Sequence, residues 1–146
     1  MAEPTQGSIR IEAPPARVLA AIVDFAGYPE WAEGVRGVEV LETGPDGMPA
    51  RVAFHVAMAG IEARYTLAYG YDDAGVSWTT VEASGAVRDV EGDYRLSSDG
   101  SGTQVTYRLR VEPGIALPGF LIRHAEATIV ETALGGLKGQ VEGTGS

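Results

Sequence analysis

The sequence predicts an α+β fold: a curved seven-stranded antiparallel sheet wrapping one long C-terminal helix, with two short helices between the first and second strands. Three observations predict it. From Pro118 to about Val141 the apolar residues Ile122, Ile129, Val130, Ala133, Leu134, Leu137 and Val141 recur at three- and four-residue intervals, the pattern of an amphipathic helix. From Ala50 to Glu112 the period is two, broken by turn-forming clusters. Ahead of both stand one short alternating stretch and one short helical pattern. At ~1.5 Å per residue the last helix would run roughly 36 Å. Its Gly135, Gly136 and Gly139 each cost about 1 kcal/mol of helix propensity relative to Ala, so it must lie on something. The alternating strands supply that surface.

In chain order, Ser8–Glu12 alternates, with Ile9 and Ile11 on one face, and reads as a first strand. Pro14-Pro15 stops it and opens a helix buried through Val18, Leu19, Ile22, Val23 and Phe25, with Gly27 as its end. Tyr28-Pro29-Glu30-Trp31 forms a short second helical turn. Val35–Thr43 is a strand closed by Gly44-Pro45-Asp46-Gly47. A two-residue turn at Ala59-Gly60 pairs Met58 with Ile61, Val56 with Ala63, Phe54 with Tyr65 and Val52 with Leu67 on one face. A loop at Asp72–Gly75 sets Tyr69 opposite Trp78, with Thr80 and Glu82 on the same side. A three-residue turn at Ser84–Ala86 sets Gly92 against Trp78, an aromatic covering a strand glycine, and Arg88 against Glu82. Asp99–Gly102 pairs Leu96 with Val105 and Tyr94 with Tyr107. That register brings Asp93 opposite Arg108 and Glu91 opposite Arg110 on the reverse face, two opposite-charge pairs that support it independently of the turn lengths. Pro118 opens the last helix and Gly143 ends it. Residues 1–7 and 143–146 read as frayed ends of a single domain spanning 1–146.

The 146 residues suit one domain with a real core. A net charge of −9 repels phosphate backbones and anionic lipid surfaces, which argues against nucleic acid and stable membrane insertion as partners. Without cysteine, disulfides, thiol nucleophiles and cysteine metal sites are excluded. No apolar run approaches the roughly 20 residues needed to cross a bilayer, and Met1 to Gly7 lacks a signal-peptide core. A cytoplasmic protein, monomer or homodimer, is the expectation.

The order strand, two helices, six strands, helix is a helix-grip arrangement. On that order the sequence resembles the START-like SRPBCC superfamily and, within it, the polyketide cyclase/dehydrase group. The resemblance rests on Ala13-Pro14-Pro15 leading into Val18-Leu19, on Asp24 followed by Tyr28-Pro29-Glu30-Trp31, and on Gly92-Asp93-Tyr94-Arg95-Leu96. It continues through Gly102-Thr103-Gln104-Val105-Thr106-Tyr107, Leu117-Pro118-Gly119-Phe120-Leu121 and Ala133-Leu134 with Leu137-Lys138. It implies an apolar cavity between sheet and helix; from the residues themselves, with no cysteine and no histidine or carboxylate at metal-site spacing, no metal or cofactor is expected. The superfamily spans ligand carriers, coenzyme-Q-binding proteins, aromatase/cyclases and interaction modules, so function has to be argued from the site.

Neither histidine suits catalysis: His55 falls on the polar face opposite Arg64, and His124 on the polar side of the last helix. No phosphate-cradling loop or Gly-x-Ser-x-Gly elbow occurs. The informative residues are polar ones on apolar faces. Glu126 projects from the apolar side of the long helix with Arg123 one turn earlier, while Glu82, Arg88 and Thr80 share the concave face with Tyr65, Trp78 and Tyr94. A buried charge is costly unless paired. Either Glu126 pairs with Arg123 and Glu82 with Arg88, or these groups are the convergent polar atoms of an apolar ligand pocket. Trp31, Phe54, Tyr65, Tyr69, Trp78 and Tyr94 are more aromatic surface on one side than a tight core needs, and buried tyrosine hydroxyls want partners.

Binding of a hydrophobic small molecule (a lipid, an isoprenoid or a polyketide-like aromatic) is the reading preferred. Two others stand beside it: a polyketide aromatase/cyclase or dehydrase working without metal or cofactor, which the resemblance implies, and a protein-interaction module. The ligand-contacting residues expected are Trp31, Phe54, Tyr65, Tyr69, Trp78, Glu82, Arg88, Tyr94, Phe120, Arg123 and Glu126. Trp31 is expected to wall the mouth of the cavity, facing Phe120 and Arg123 at the start of the long helix, with Arg123 as polar anchor.

Overall fold

Seven strands and three α-helices form in the computed structural model, which describes residues 4–32, 34–58 and 61–144. Strand β1 (Thr5–Ile11) leads to α1 (Pro15–Val23), a 3-10 turn (Phe25–Gly27) and α2 (Tyr28–Trp31). Strands β2 (Val35–Thr43), β3 (Pro49–Met58), β4 (Ile61–Asp72), β5 (Gly75–Gly85), β6 (Val87–Asp99) and β7 (Gly102–Pro113) follow, and α3 (Gly119–Thr144) closes the chain. The sheet is antiparallel in the order β1-β7-β6-β5-β4-β3-β2, the seven-stranded helix-grip architecture that the sequence predicts. The chain ends depart from expectation. β1 begins at Thr5, not Ser8, and pairs from there with Leu109, so residues 5–7 belong to the sheet. Helix α3 runs through Gly143, which does not end it.

Turn lengths fix register, and most of the predicted register holds. Met58 pairs with Ile61, Val56 with Ala63, Phe54 with Tyr65 and Val52 with Leu67, although the Ala59-Gly60 turn itself lies outside the described residues. Tyr69 pairs with Trp78, and Trp78 with Gly92. On the outer face Arg108 meets Asp93 at 2.6 Å, and Arg110 meets Glu91.

The register fails at one place. Leu67 pairs with Thr80 but Thr66 with Glu82, so Val81 is an extra residue, a β-bulge in β5. Because side chains alternate, one inserted residue sends every later one to the opposite face. Ala83, not Glu82, stands opposite Tyr65, and Glu82 is exposed. Past Trp78 the β5–β6 ladder also stops; there Thr80 Oγ1 accepts from the Val90 N–H at 2.8 Å and donates to the Val90 carbonyl at 3.2 Å. Arg88 sits at a second irregularity, between the Val87–Pro113 and Asp89–Glu112 pairs, and its guanidinium reaches Glu112 at 3.2 Å. The expected Glu82–Arg88 pair does not form.

Helix α3 lies mainly on β1, β7 and α1, covering one side of the concave face. Val130, Leu134, Leu137 and Val141 are buried in one core with Ile11, Val18, Ile22 and Val105. Polar ties fasten it: Lys138 Nζ donates to the Arg10 carbonyl at 2.7 Å, and Arg17 to the Val141 carbonyl at 2.9 Å. Its outward glycines cost propensity and contribute no contact, since a Cβ at Gly135 or Gly139 would meet open space. Gly135→Ala and Gly139→Ala should therefore each raise stability by about 1 kcal/mol. Thermal unfolding measures this, and a lowered midpoint for either would mean that the face is not free.

Candidate ligand site on the concave face

The period of two in β3 to β7 aims Phe54, Tyr65, Tyr69, Trp78, Tyr94 and Tyr107 at the same side of the sheet. Where α3 does not lie, the 3-10 turn and α2 bring Phe25, Tyr28 and Trp31 over them. Phe25 touches Tyr28, Tyr69 and Phe54 with ring centroids 5.1, 4.9 and 6.0 Å apart. Trp31 leans on Tyr28 at 4.9 Å, and Phe54 stacks on Tyr65 at 5.4 Å. Trp78 joins Tyr69 at 5.7 Å, Tyr94 at 5.7 Å and Tyr107 at 5.8 Å, while Tyr94 and Tyr107 lie 4.5 Å apart. Nine rings thus form one contiguous aromatic surface, at spacings that favour offset and edge contacts.

The polar atoms of these rings are not all provided for. Tyr28 donates its hydroxyl to the Ile22 carbonyl, which fixes the 3-10 turn against the end of α1. Outside the cluster, Tyr71 donates to the Pro49 carbonyl at 2.7 Å. The hydroxyls of Tyr65, Tyr69, Tyr94 and Tyr107 have no such protein partner among the described residues. Trp78 Nε1 is the one side-chain polar atom there that is both sealed from water and unpartnered. The four hydroxyls are therefore not sealed; each reaches space that a water-sized group can enter.

Burial governs the electrostatics of this surface. It pushes the Tyr65 hydroxyl up to about 12 and those of Tyr69, Tyr94 and Tyr107 well above the usual tyrosine range. Tyr28 is raised too, by burial first and then by Tyr107, Tyr71, Asp24 and Tyr65. Tyr69, Tyr94 and Tyr107 likewise feel neighbouring hydroxyls, because the polar ends converge. Burial, with Asp46 second, takes Tyr71 to about 12. All six tyrosines of the chain are thus held protonated. A raised acid binds its proton in the folded state after the unfolded chain has lost it. The stabilisation is complete below about pH 10, the ordinary tyrosine value, and is lost as pH rises above it. Absorbance at 295 nm should accordingly stay flat through pH 10 and then rise in one step together with loss of near-ultraviolet circular dichroism. A gradual rise centred near pH 10 in folded protein would contradict the burial of these hydroxyls.

The other residues expected at the site are elsewhere. Glu82 and Arg88 are exposed, for the reasons given by the bulges. Phe120, 64% exposed, and Arg123 lie on the first turns of α3, which project away from the core. Trp31 does not face them: a Cβ on Gly136 would meet its ring and carbonyl at 3.1 Å, so Trp31 rests on α3 thirteen residues further along, roughly 20 Å by helix rise. Glu126 is buried as its phase in the helix requires, but not against Arg123. Its carboxylate accepts from Thr5 Oγ1 at 2.6 Å and from the Val111 N–H at 2.7 Å. Two surface hollows, of roughly 340 Å³ beside the Asp93–Arg108 pair and roughly 290 Å³ between α2 and β2, do not open between sheet and α3.

Three members of the cluster escaped the reading of the sequence as site residues: Phe25, Tyr28 and Tyr107. Tyr107 carried a signal, since its predicted partner was Tyr94. Tyr28 carried none, because the 3-10 turn that aims it has no periodicity. Among the described residues no group of His, Asp and Glu is set to hold a metal, and no helix is long and apolar enough to cross a membrane.

A family model described as polyketide cyclase/dehydrase and lipid transport matches residues 5–142. No curated protein matches the sequence. Among solved structures, a START superfamily protein from Mycobacterium smegmatis superposes with a TM-score of 0.90 at 19% identity, over 98% of this chain and 99% of that one. An aromatase/cyclase from Streptomyces sp. R1128 gives 0.73 at 20% identity, over 95% and 93% of the two chains. A STAR-related lipid transfer protein from Xanthomonas axonopodis gives 0.70 at 19% identity, over 94% and 84%. At these identities the likeness is one of fold.

Proposed function

This chain belongs to the polyketide cyclase/dehydrase and lipid transport family, and on that premise we propose that it binds a hydrophobic small molecule against the aromatic surface of the concave face. The observation that carries this reading is the set of four tyrosine hydroxyls, on Tyr65, Tyr69, Tyr94 and Tyr107, that open onto accessible space without protein partners. A close-packed core leaves few polar groups in that condition. A ligand site needs them: mostly apolar walls with a few convergent polar atoms that fix orientation. Phe54, Tyr65, Tyr69, Trp78 and Tyr94 are the wall residues that the sequence anticipated, with Phe25, Tyr28 and Tyr107 added and Trp31 at the α2 side. Lipids, isoprenoids and flat polyoxygenated aromatics all meet the requirement for apolar area.

The chain has two tryptophans, so Trp31→Phe leaves Trp78, at the centre of the cluster, as the only indole. Titrating that variant with retinol, a long-chain alcohol or a flavonoid should change Trp78 emission saturably, with one site per chain for at least one of them. Absence of saturable change across such a panel would dismiss the reading.

A second reading uses the same hydroxyls for chemistry. Held protonated by burial, they can donate to a substrate carbonyl as charge builds on its oxygen, the assistance that cyclisation or dehydration of a folded polyketide chain requires. Product formation from a poly-β-keto thioester, lost in Tyr94→Phe or Tyr107→Phe, checks it.

A further inference from the structure

We propose that this site discriminates by charge: it takes uncharged ligands that present an oxygen acceptor, such as a ketone, quinone or ester, and turns away the matching carboxylates. The inference rests on the reading of the concave face as a ligand pocket and concerns what that pocket can hold.

The chain has eleven Lys and Arg side chains, all among the described residues, and not one is buried. Arg10, Arg51, Arg88, Arg95, Arg108 and Arg110 are engaged by acidic residues in ion pairs on strands. Arg17 is drawn to the C-terminal turns of α3, and Lys138 to β1 and Glu142. Arg36, Arg64 and Arg123 are exposed. His124 is exposed as well, and His55 is turned to Glu62 at 2.6 Å.

Arg36 lines the α2–β2 hollow with Trp31; none of these cations is among the rings that carry the four open hydroxyls, so a carboxylate held at Tyr65, Tyr69, Tyr94 and Tyr107 would find hydroxyl donors but, among the described residues, no buried opposite charge. Hydrogen bonds alone offset only part of what desolvating an ion costs. The one formal charge acting on the ring cluster is negative as well: Asp24, on the neighbouring Tyr28. The whole chain, at −9, adds to the repulsion. A neutral carbonyl oxygen avoids these costs. It brings two lone pairs, whereas the hydroxyls of Tyr65, Tyr69, Tyr94 and Tyr107 bring donors that burial keeps protonated. Recognition of the oxygen by phenolic O–H groups and exclusion of its anion follow from the same surroundings.

The test uses three ligands with one ring system: methyl 2-naphthoate, 2-naphthoate and 2-ethylnaphthalene, titrated at pH 7.5 against the unaltered chain. The ester should bind at least tenfold more tightly than the carboxylate. In Tyr94→Phe/Tyr107→Phe, ester affinity should fall about three- to tenfold, the worth of one or two neutral hydrogen bonds, while the hydrocarbon binds as before. A carboxylate that binds as well as the ester overturns the charge selectivity and leaves the pocket standing. If none of the three binds, the pocket reading falls and takes this inference with it. Equal weakening of ester and hydrocarbon in the variant would show that the hydroxyls do not read the oxygen, and would overturn that part. The ester-to-carboxylate comparison needs no variant, so it decides even if the double substitution does not fold.

Discussion

Glu126→Ala should cost about 3 kcal/mol of stability, one of the two largest single-residue effects expected in this chain outside the apolar core. Glu126 is only 4% exposed, and both carboxylate oxygens are used. In the β1–β7 ladder Thr5 stands opposite Leu109. The Val111 N–H, two residues on, donates to a Glu126 oxygen in place of a strand carbonyl. The other oxygen takes the Thr5 hydroxyl, so one side chain of α3 ties β1 to β7 just where their ladder runs out. Removing it strands a backbone donor and a hydroxyl in a site that water cannot easily reach. Glu126→Gln keeps one oxygen for the Val111 N–H, and its amide can donate to Thr5 Oγ1, which accepts as well as donates, so it should lose less, about 1 kcal/mol. Urea unfolding of the three proteins measures the series. If Ala and Gln cost the same, the two hydrogen bonds are not what holds this corner, and the account of Glu126 fails.

The same residue illustrates how far the sequence reaches. Helical phase alone puts Glu126 on the apolar side, where it is buried. Its partners could not be read, because Thr5 and Val111 come to it through the three-dimensional arrangement of β1, β7 and α3. Arg123, at a helical neighbour's spacing, was the only partner that local reasoning could offer. The sheet divides in the same manner. Short turns determine register by counting, so Phe54–Tyr65, Tyr69–Trp78 and Tyr94–Tyr107 were legible, as were the Asp93–Arg108 and Glu91–Arg110 pairs on the reverse face. The bulge at Val81 was not. No Gly or Pro marks it, and it arises where β5 leaves β6, a property of the sheet's curvature rather than of the local sequence. One unmarked residue moved Glu82 off the concave face. The aromatic face was therefore readable from alternation, whereas the positions of the charged residues expected beside it were not. What remained was an apolar surface whose polar atoms are hydroxyls and two indole N–H groups.

Gly92→Val should leave little folded protein, and Gly92→Ala should cost about 3 kcal/mol, at the upper end for overpacking. A Cβ at this position would lie 2.4 Å from the Arg108 carbonyl oxygen and 2.8 Å from Cζ2 of Trp78. The first atom is backbone in the central β6–β7 ladder, where Gly92 pairs with Leu109 and Asp93 with Arg108, so it cannot retreat without opening the sheet. The second belongs to an indole held on its other sides by Tyr69, Tyr94 and Tyr107. Glycine here is a seat for Trp78, and the seat positions the ring around which the proposed ligand surface is arranged. The contrast with Gly135→Ala separates steric cost from helix and strand propensity: the same added methyl group should stabilise where space is open and destabilise where backbone stands 2.4 Å away. In the Trp31→Phe background, Trp78 emission should shift to the red in Gly92→Ala as the indole is displaced, and saturable ligand binding should weaken with it. Stability within about 0.5 kcal/mol of the parent, with unshifted emission, would mean that the ladder yields more readily than its geometry indicates, and that Trp78 does not depend on Gly92 for its place.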